Sequence, residues 1–536
     1  MTSVTRPGAA SLRKDSRTPP FDRILVANRG EIAVRIIRTC RELGIETVAL
    51  YSDADVDALH VAAADAAVRL GPAPAGESYL RGEAIIEAAL ETGAEAIHPG
   101  YGFLSERASF ARAVTDAGLV FIGPRASAIE ALGDKLVARR TARAADVPVV
   151  PGTFEPSPID RADQIEAVVA VAERIGFPLF VKAAAGGGGR GMRRVESATD
   201  LPAALAAGAA EALAAFGDGS VYLEREIRPA RHIEVQLLGD EGGDVVALGE
   251  RDCSVQRRHQ KLVEETPAPG LSADERAELH AMAVRAARAA GLHNAATAEF
   301  LFDPDRRFWF LEVNARLQVE HGVTELVTDL DLVAEQMWLA AGEPLSDAVR
   351  EVAAMATAPG RHAVEVRLAA EDPGRGFAPV PGRVGAWVMP SGPGVRVDTA
   401  IRPGERVPPD YDPMIAKVMT VGRDRSAALR RMRRALDEVV VSGIQTTIPF
   451  HRALVRDPAF AVETGSTLST DWVGERWDGP RDRAGVAAVA AIAAVASASD
   501  PARRTEAASL RKDDRARADS GWRRAGRQAA TERWPR

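Results

Sequence analysis

Between Phe308 and His321 the chain reads FWFLEVNARLQVEH. The run is rich in β-formers and is entered through the turn-forming DPDRR. Glu312, Asn314, Arg316, Gln318 and Glu320 fall on every second position, which an extended chain places on one face. A merely solvated face rarely follows so apolar a run. The upstream TAEFLF predicts a second strand carrying Glu299. Together Glu299, Glu312 and Asn314 form an oxygen-rich set suited to a hard cation such as Mg²⁺ that also holds phosphates. Arg316 is a permanently charged anion clamp, and Glu320 is a candidate base. Drawn straight, Glu312 to Glu320 would span roughly 26 Å at about 3.3 Å per residue. One small substrate cannot meet both ends of that, so the chain after Asn314 is expected to curl back.

A chain of 536 residues is too long for one core, and roughly three or four domains are expected. With 46% hydrophobic and 27% charged residues, the composition is that of an ordinary globular protein. The net charge of −7 argues against a general nucleic-acid binder. Cys40 and Cys253 stand far apart, which suggests a reducing, cytoplasmic setting without a disulfide framework. Nothing supplies Cys253 with the base a cysteine nucleophile needs, so it reads as a structural thiol. The longest apolar run, AGVAAVAAIAAVA from Ala484, is too short for a membrane span and reads as a helix. Residues 1–20 are rich in Arg, Ser and Pro, which predicts a disordered tail and not a secretory signal.

From Phe21 strands and helices alternate. ILVANRG predicts a buried strand and turn, EIAVRIIRTCREL an amphipathic helix, GIETVALYSD a second strand. A helix around Arg81–Glu91 then leads to the strands AEAIHPG and GLVFIGP. This rhythm implies a mostly parallel sheet with ligands at its strand C-terminal ends. The turn Asn28-Arg29-Gly30-Glu31 is not GxGxxG, so no dinucleotide site is indicated. The loop HPGYGFLSE, His98 to Glu106, is read equally well as packing between domains or as part of a site.

From Asp134 the chemistry changes. GDKLVARRTARAADVPVVPG predicts a helix containing Lys135 and then a strand, and another helix spans about Asp160 to Ile175. The strand FPLFVK ends on Lys182 and runs into the glycines Gly186 to Gly189. Glycines let backbone N–H groups wrap phosphate oxygens while a neighbouring lysine supplies charge, so this reads as a mobile phosphate lid. The strand VYLEREI and the hairpin RHIEVQLLGD/VVALGERDCS follow. Then comes SVQRRHQK, in which Arg257, Arg258, His259 and Lys261 cluster where an anionic substrate could be met. Residues 361–472 read as an antiparallel domain: HAVEVRLAAED, GRVGAWVMP, GVRVDTA and YDPMIAKVMTVG as strands, then the helix RSAALRRMRRALDEV.

ILVANRGEIAVRI, HPGYGFLSE, FIGP, GDK, VKAAAGGGGRGMR, RDCSVQRRHQK, EFLF and LEVNARLQVEH occur here in the order and spacing of the biotin carboxylases. The chain resembles that family from about Phe21 to Trp472. The resemblance implies an α/β protein: an N-terminal parallel-sheet domain over 21–134, an ATP-grasp domain over 135–350 with a glycine-rich lid at about 154–227, and an α+β C-terminal domain over 351–475. It implies ATP-dependent carboxylation of biotin by bicarbonate, through carboxyphosphate, as the first half-reaction of an acyl-CoA carboxylase. Lys135, Lys182, Gly188 and Gly189 would hold ATP phosphates. Glu224, Arg225, Glu226 and Ile227 would receive the adenine, with His232, Gln256 and His259 lining the nucleotide site. Glu299, Glu312 and Asn314 would carry Mg²⁺ or Mn²⁺. Lys261, Arg316, Gln318 and the Val319 backbone would bind bicarbonate. Glu320 resembles the base, Arg316 would stabilise the biotin enolate, and Arg367 matches a residue that contacts biotin or the phosphate beside it.

Biotinyl domains of multidomain relatives carry a Met-Lys-Met core. This sequence contains no Met-Lys dipeptide, so the Ala- and Arg-rich stretch 476–536 is expected to hold no biotinyl domain. Biotin would arrive on a separate carrier protein, with a carboxyltransferase as further partner and a homodimer as the assembly. Two departures from the family stand out. Gly322 occupies a position where the family usually has proline, which predicts a looser backbone after Glu320 and a lower rate. Ala185 stands where a fifth glycine is common. Another ATP-grasp ligase, or a weakened structural subunit of a carboxylase complex, is the competing reading.

Overall fold

The computed structural model describes residues 19–157, 162–184, 192–462 and 468–477. The lid residues Ala185 to Gly191 lie outside the described residues, with Gly188 and Gly189 among them. So do the tail up to residue 18 and everything after Trp477, including the helix expected at Ala484.

The N-terminal segment builds a five-stranded, wholly parallel sheet. Its spatial order is Ala66–Gly71, Glu46–Ser52, Arg23–Val26, Ala96–His98, Val120–Phe121. The central strand is apolar on both faces, and Ile24, Leu25 and Val26 are fully buried, as a parallel strand covered by helices requires. The helix Gly30–Leu43 lays Ile32, Ile36 and Ile37 against one face and stops at Gly44 in the left-handed conformation. The sheet's order reverses between Arg23–Val26 and Ala96–His98, and a crevice opens at that switch point in such sheets. The two loops leaving it are braced together: Asn28 Nδ2 donates to Pro99 O at 2.7 Å and to Tyr101 O at 2.8 Å.

An eight-stranded antiparallel sheet follows, ordered Phe308–Asn314, Asn294–Phe302, Arg231–Gly239, Val245–Arg257, Gln260–Thr266, His362–Ala369, Met414–Gly422, Val395–Thr399. The sheet is continuous across residue 350: Gln260–Thr266 pairs with His362–Ala369. The helix Ala273–Ala289 packs against it and begins with a reciprocal capping box between Ser272 and Glu275. A three-stranded antiparallel sheet, Arg193–Val195, Leu179–Ala183, Val221–Arg225, carries Lys182 beneath the helices Ala162–Ile175 and Leu201–Phe216.

Two expectations need correction. GRVGAWVMP forms only the two-residue ladders Gly382–Arg383 and Trp387–Val388, since glycine and proline interrupt the run. The strand expected in DVPVVPG shrinks to the isolated bridges Val149–Phe310 and Gly152–Glu224, whereas the strand that begins at Phe308 ends at Asn314, as reach requires. Among the described residues no helix is long and apolar enough to cross a membrane.

One buried ion cluster ties the helix that follows the strand Met414–Gly422 to the large sheet. Arg425, at the start of the helix Arg425–Glu438, clamps Glu265 with two bonds of 2.6 and 2.9 Å. His362 Nε2 lies 2.8 Å from the same carboxylate. Burial opposes ionisation, yet Arg425 and His362 hold the Glu265 carboxyl down at about 2. An unfolded glutamate titrates near about 4.3, so this depressed group adds stability above that value and loses it as pH falls toward 2. Glu265→Gln leaves a buried arginine unpaired and is expected to destabilise the protein at pH 7 by about 3 kcal/mol, read as a lower melting temperature. The gap to wild type should narrow steadily in melts taken from about pH 4.5 downward.

Candidate functional site

The large sheet places three glutamates in a row. Glu234 pairs across to Glu299, and Glu299 pairs across to Glu312. Arg251 stands on the other side of Glu234 in the same register. Cross-strand neighbours sit about 5 Å apart, and opposed like charges destabilise a sheet. The row therefore needs cations, and the fold supplies them from other segments. Arg251 Nε donates to Glu234 at 2.5 Å. Lys135, at the start of the helix Lys135–Ala144, reaches Glu312 at 3.0 Å.

Lys261 is the centre of the arrangement. Its ammonium donates to Glu299 at 2.9 Å, to Glu320 at 2.7 Å and to Glu234. Arg367, on the neighbouring strand His362–Ala369, donates to Glu320 at 2.9 Å and to Glu264 at 2.6 Å. Glu320 is wholly buried. Burial alone would push its carboxyl up, but Lys261, Arg367 and Arg251 hold it well below the usual carboxylate range. Glu299 is likewise held down, against burial, by Lys261 and His232, with His232 Nε2 3.0 Å from its carboxylate. Both are anions at neutral pH.

The chain after Asn314 does curl back. Ala315–Val319 is irregular, and the helix His321–Thr328 starts directly after Glu320. Arg316 ties the curl together: its guanidinium reaches Asn314 Oδ1 at 3.1 Å and Gln318 Oε1 at 2.8 Å. Gln318 Nε2 and Asn314 Nδ2 both donate to Glu299 Oε1, at 3.2 and 2.9 Å. Glu299 and Glu320 consequently meet the same ammonium although they belong to separate segments.

Lys182 pairs with Glu224, which also accepts from Arg139 at 2.7 Å. Arg225 ends its strand, and Glu226 accepts from Arg194 at 2.8 and 2.9 Å. Gln256 is buried beside the Arg258-His259 hairpin turn, whose residues take positive φ. Burial and the nearby Lys182 keep His259 below its ordinary pKa.

The structure also gathers residues that sequence reasoning missed. Glu234 and Arg251 looked like ordinary hairpin positions, and Glu264 sat in an unremarked VEET. Arg139 was one arginine of many. Glu106 accepts from Arg316 Nε at 2.8 Å, which brings the HPGYGFLSE loop into the site. Register pairing was the missing signal: the sequence does not say which residues stand opposite one another. Cys253 lies among Glu234, Glu320 and Lys261. Burial pushes its thiol far up, so it stays protonated, which agrees with a structural role.

A hard divalent cation fits the donor set. Glu299 and Glu312 are directly opposed, with the Asn314 amide oxygen beside them, and oxygen-only ligation suits Mg²⁺ or Mn²⁺.

Comparison with known proteins agrees with this geometry. Residues 20–129 match the family model "Biotin carboxylase, N-terminal domain". Residues 134–348 match "Carbamoyl-phosphate synthase L chain, ATP binding domain", and residues 365–475 match "Biotin carboxylase C-terminal domain". The biotin carboxylase of Pseudomonas aeruginosa is 49% identical over 440 residues, which covers 82% of this chain and 96% of that protein. The crystal structure of a biotin carboxylase–β,γ-ATP complex from Campylobacter jejuni superposes with a TM-score of 0.80 at 42% identity, covering 85% of this chain and 99% of that one. The biotin carboxylase domain dimer of Hydrogenobacter thermophilus 2-oxoglutarate carboxylase, solved with MgADP, ADP and bicarbonate, gives 0.79 at 41% identity, covering 85% and 97%.

Gly322 is filled in from outside. It is buried in the first turn of the helix after Glu320. A Cβ built there would lie 2.5 Å from Met419 Sδ and 3.3 Å from Met419 Cε. Met419 is itself fully buried and packs with Val323 and Ala363. Methionine thus takes the volume that a proline ring would need, and the backbone is held by packing. Gly322→Pro alone is expected to overpack, at a cost of about 1–3 kcal/mol. Gly322→Pro with Met419→Ala should recover most of that loss. Thermal melts of the two single variants and the double variant measure the coupling.

Proposed function

The chain belongs to the biotin carboxylase family, and we propose that it carboxylates biotin with bicarbonate at the expense of ATP, the biotin being presented by a separate carrier protein. One observation carries the reading. A single buried ammonium, Lys261, joins the phosphate-and-metal end of the site at Glu299 to the base Glu320, and Arg367 reaches Glu320 from the opposite side.

The division of work follows from the chemistry. Lys135, Lys182 and the lid at Gly188 and Gly189 take the ATP phosphates. The strand end from Glu224 through Arg225 and Glu226 to Ile227 takes the adenine, with His232, Gln256 and His259 alongside. Phosphoryl transfer needs positioning and charge neutralisation more than covalent help. Glu299, Glu312 and Asn314 would hold Mg²⁺ or Mn²⁺, which when bound neutralises phosphate charge. Several internal ion pairs mark where anionic substrates would go. Lys135–Glu312, Lys182–Glu224 and Arg316–Glu106 each keep a cation solvated by a carboxylate until phosphate or bicarbonate takes its place.

Lys261, Arg316, Gln318 and the Val319 backbone receive bicarbonate. In the resting site Glu320 is a poor base because three cations hold its proton affinity down. A bicarbonate arriving between Lys261 and Arg316 shares those cations and raises that affinity. Glu320 then takes the bicarbonate proton, and the oxygen attacks the γ-phosphorus, breaking its bond to the β-phosphate so that ADP leaves and carboxyphosphate forms. Its breakdown to CO₂ and phosphate leaves phosphate to deprotonate the biotin ureido nitrogen. Arg316 stabilises the enolate, and Arg367 contacts the biotin or the adjacent phosphate. Closure of the lid excludes water from an intermediate prone to hydrolysis.

We assign residues 21–134, 135–350 and 351–475 to an N-terminal, an ATP-grasp and a C-terminal domain, with the lid at about 154–227. A carboxyltransferase is the expected partner that chooses the acyl acceptor. A homodimer is supported by the dimeric Hydrogenobacter relative, and we place the protein in the cytoplasm.

Purified protein with ATP and Mg²⁺ is expected to release phosphate in a bicarbonate-dependent manner, faster with free biotin. Glu320→Gln should lower that rate by about 10²–10⁴-fold, the range for losing a positioned acid–base group. Turnover indifferent to bicarbonate and biotin would refute the assignment.

A further inference from the structure

The sequence contains six lysines, and four of them lie among the described residues: Lys135, Lys182, Lys261 and Lys417. The first three have places in the site above. Lys417 has none, yet its side chain is completely buried. It stands on the strand Met414–Gly422, directly opposite Arg367 on one side and Asp398 on the other.

Its ammonium donates to the carbonyl oxygen of Val319 at 2.8 Å. Glu31 Oε1 lies 3.3 Å away, Asp398 Oδ2 3.9 Å, and the Tyr101 ring 5.9 Å. Glu31 opens the first helix of the parallel sheet, and Tyr101 belongs to the HPGYGFLSE loop. Val319 lies in the curl, and Asp398 on the edge strand of the large sheet. One ammonium therefore joins the parallel-sheet region, the curl and the edge of the large sheet. Burial would pull a lone ammonium's pKa down, but Glu31, Glu365 and Asp398 outweigh that and keep it charged.

The Val319 carbonyl belongs to the peptide plane whose N–H is that of Glu320. Holding the oxygen fixes the plane and with it the Cα from which the Glu320 side chain starts. Lys261 and Arg367 fix the far end of the same side chain. We propose that Lys417 is a positioning residue for the bicarbonate-binding curl, setting the Val319–Glu320 peptide from the junction of the parallel sheet and the antiparallel sheet. The kinetic part of this proposal rests on the biotin carboxylase reading; the structural part does not.

Lys417→Met keeps most of the length of the side chain and removes the charge. It leaves Glu31 without its cation, so Glu31→Gln/Lys417→Met is made alongside as the variant that relieves the buried charge. Two readouts separate the claims. Backbone amide exchange, followed by mass spectrometry, reports on peptides covering residues 316–323, where His321 N–H donates to Gln318 O and Val323 N–H to Glu320 O. Exchange there is expected to speed up about tenfold or more, the effect of losing one buried hydrogen bond of about 1.4 kcal/mol. Peptides from the strand Arg23–Val26 should keep their wild-type rates. In bicarbonate-dependent ATP turnover, the bicarbonate KM should rise by about tenfold while the ATP KM stays at its wild-type value. Unchanged exchange over 316–323 in both variants would overturn the proposal, whatever the activity. A uniform rise in exchange, or a parallel rise in both KM values, would show general loosening and would also overturn it. Wild-type protein inactive toward bicarbonate would instead strike at the proposed function and leave the exchange result to decide the role of Lys417.

Discussion

The structure depends on one ammonium surrounded by carboxylates. Lys261 contacts Glu234, Glu299 and Glu320, all three of them buried. Unit charges 4 Å apart interact by about 4 kcal/mol at an effective dielectric constant of 20, so three carboxylates could not all ionise there unaided. Lys261 is one link of a longer alternation. Arg251, Glu234, Lys261, Glu320, Arg367 and Glu264 follow one another as basic and acidic groups in alternation. Apart from Glu320, these residues sit on four neighbouring strands of a single antiparallel sheet. The ladder fixes their backbones, so the spacing of charges is set by hydrogen bonds that substrate does not disturb.

Such a network is costly to bury and gains its place by what it does. Removing charges from water costs several kcal/mol per ion even after relaxation. The apolar clusters on the face of the sheet away from the charges, around Phe300 and Phe310 at one end and Val366 and Val418 toward the other, make that cost tolerable. In return the site holds cations that are charged, desolvated and pre-aimed. The weaker, more exposed pairs lie at the periphery: the Glu106 side chain is 39% exposed and that of Glu312 31%, against 0% for Glu320. Exchange of partners is therefore cheapest at the periphery and hardest at the buried Glu320.

Much of this was legible in the sequence where a local pattern carries it. The parallel sheet followed from alternating apolar strands and amphipathic helices, and the oxygen-rich set from TAEFLF and FLEVN. The curl after Asn314 followed from reach alone. Motif order identified the family, and the solved relatives agree. What could not be read was pairing between distant segments. Glu234 opposite Glu299, Arg251 opposite Glu234 and Arg367 opposite Lys417 depend on sheet register, and register is set by the whole sheet. Gly322 shows the same limit. Read locally, a glycine in place of proline predicts looseness; in three dimensions Met419 closes the gap.

The choice of lysine over arginine follows from the same geometry. This chain writes its cations overwhelmingly as arginine, and arginine serves the planar, two-pronged contacts: Arg425 on Glu265, Arg29 on Asp55, Arg396 on Asp398. A guanidinium is a rigid fork that matches one carboxylate well. Lys261 faces acceptors from three separate segments, two neighbouring strands and the start of a helix, in directions no single plane contains. An ammonium offers three donors around a point and can meet all of them. Lys417 occupies a position of the same kind, where a compact charge answers oxygens from more than one part of the fold.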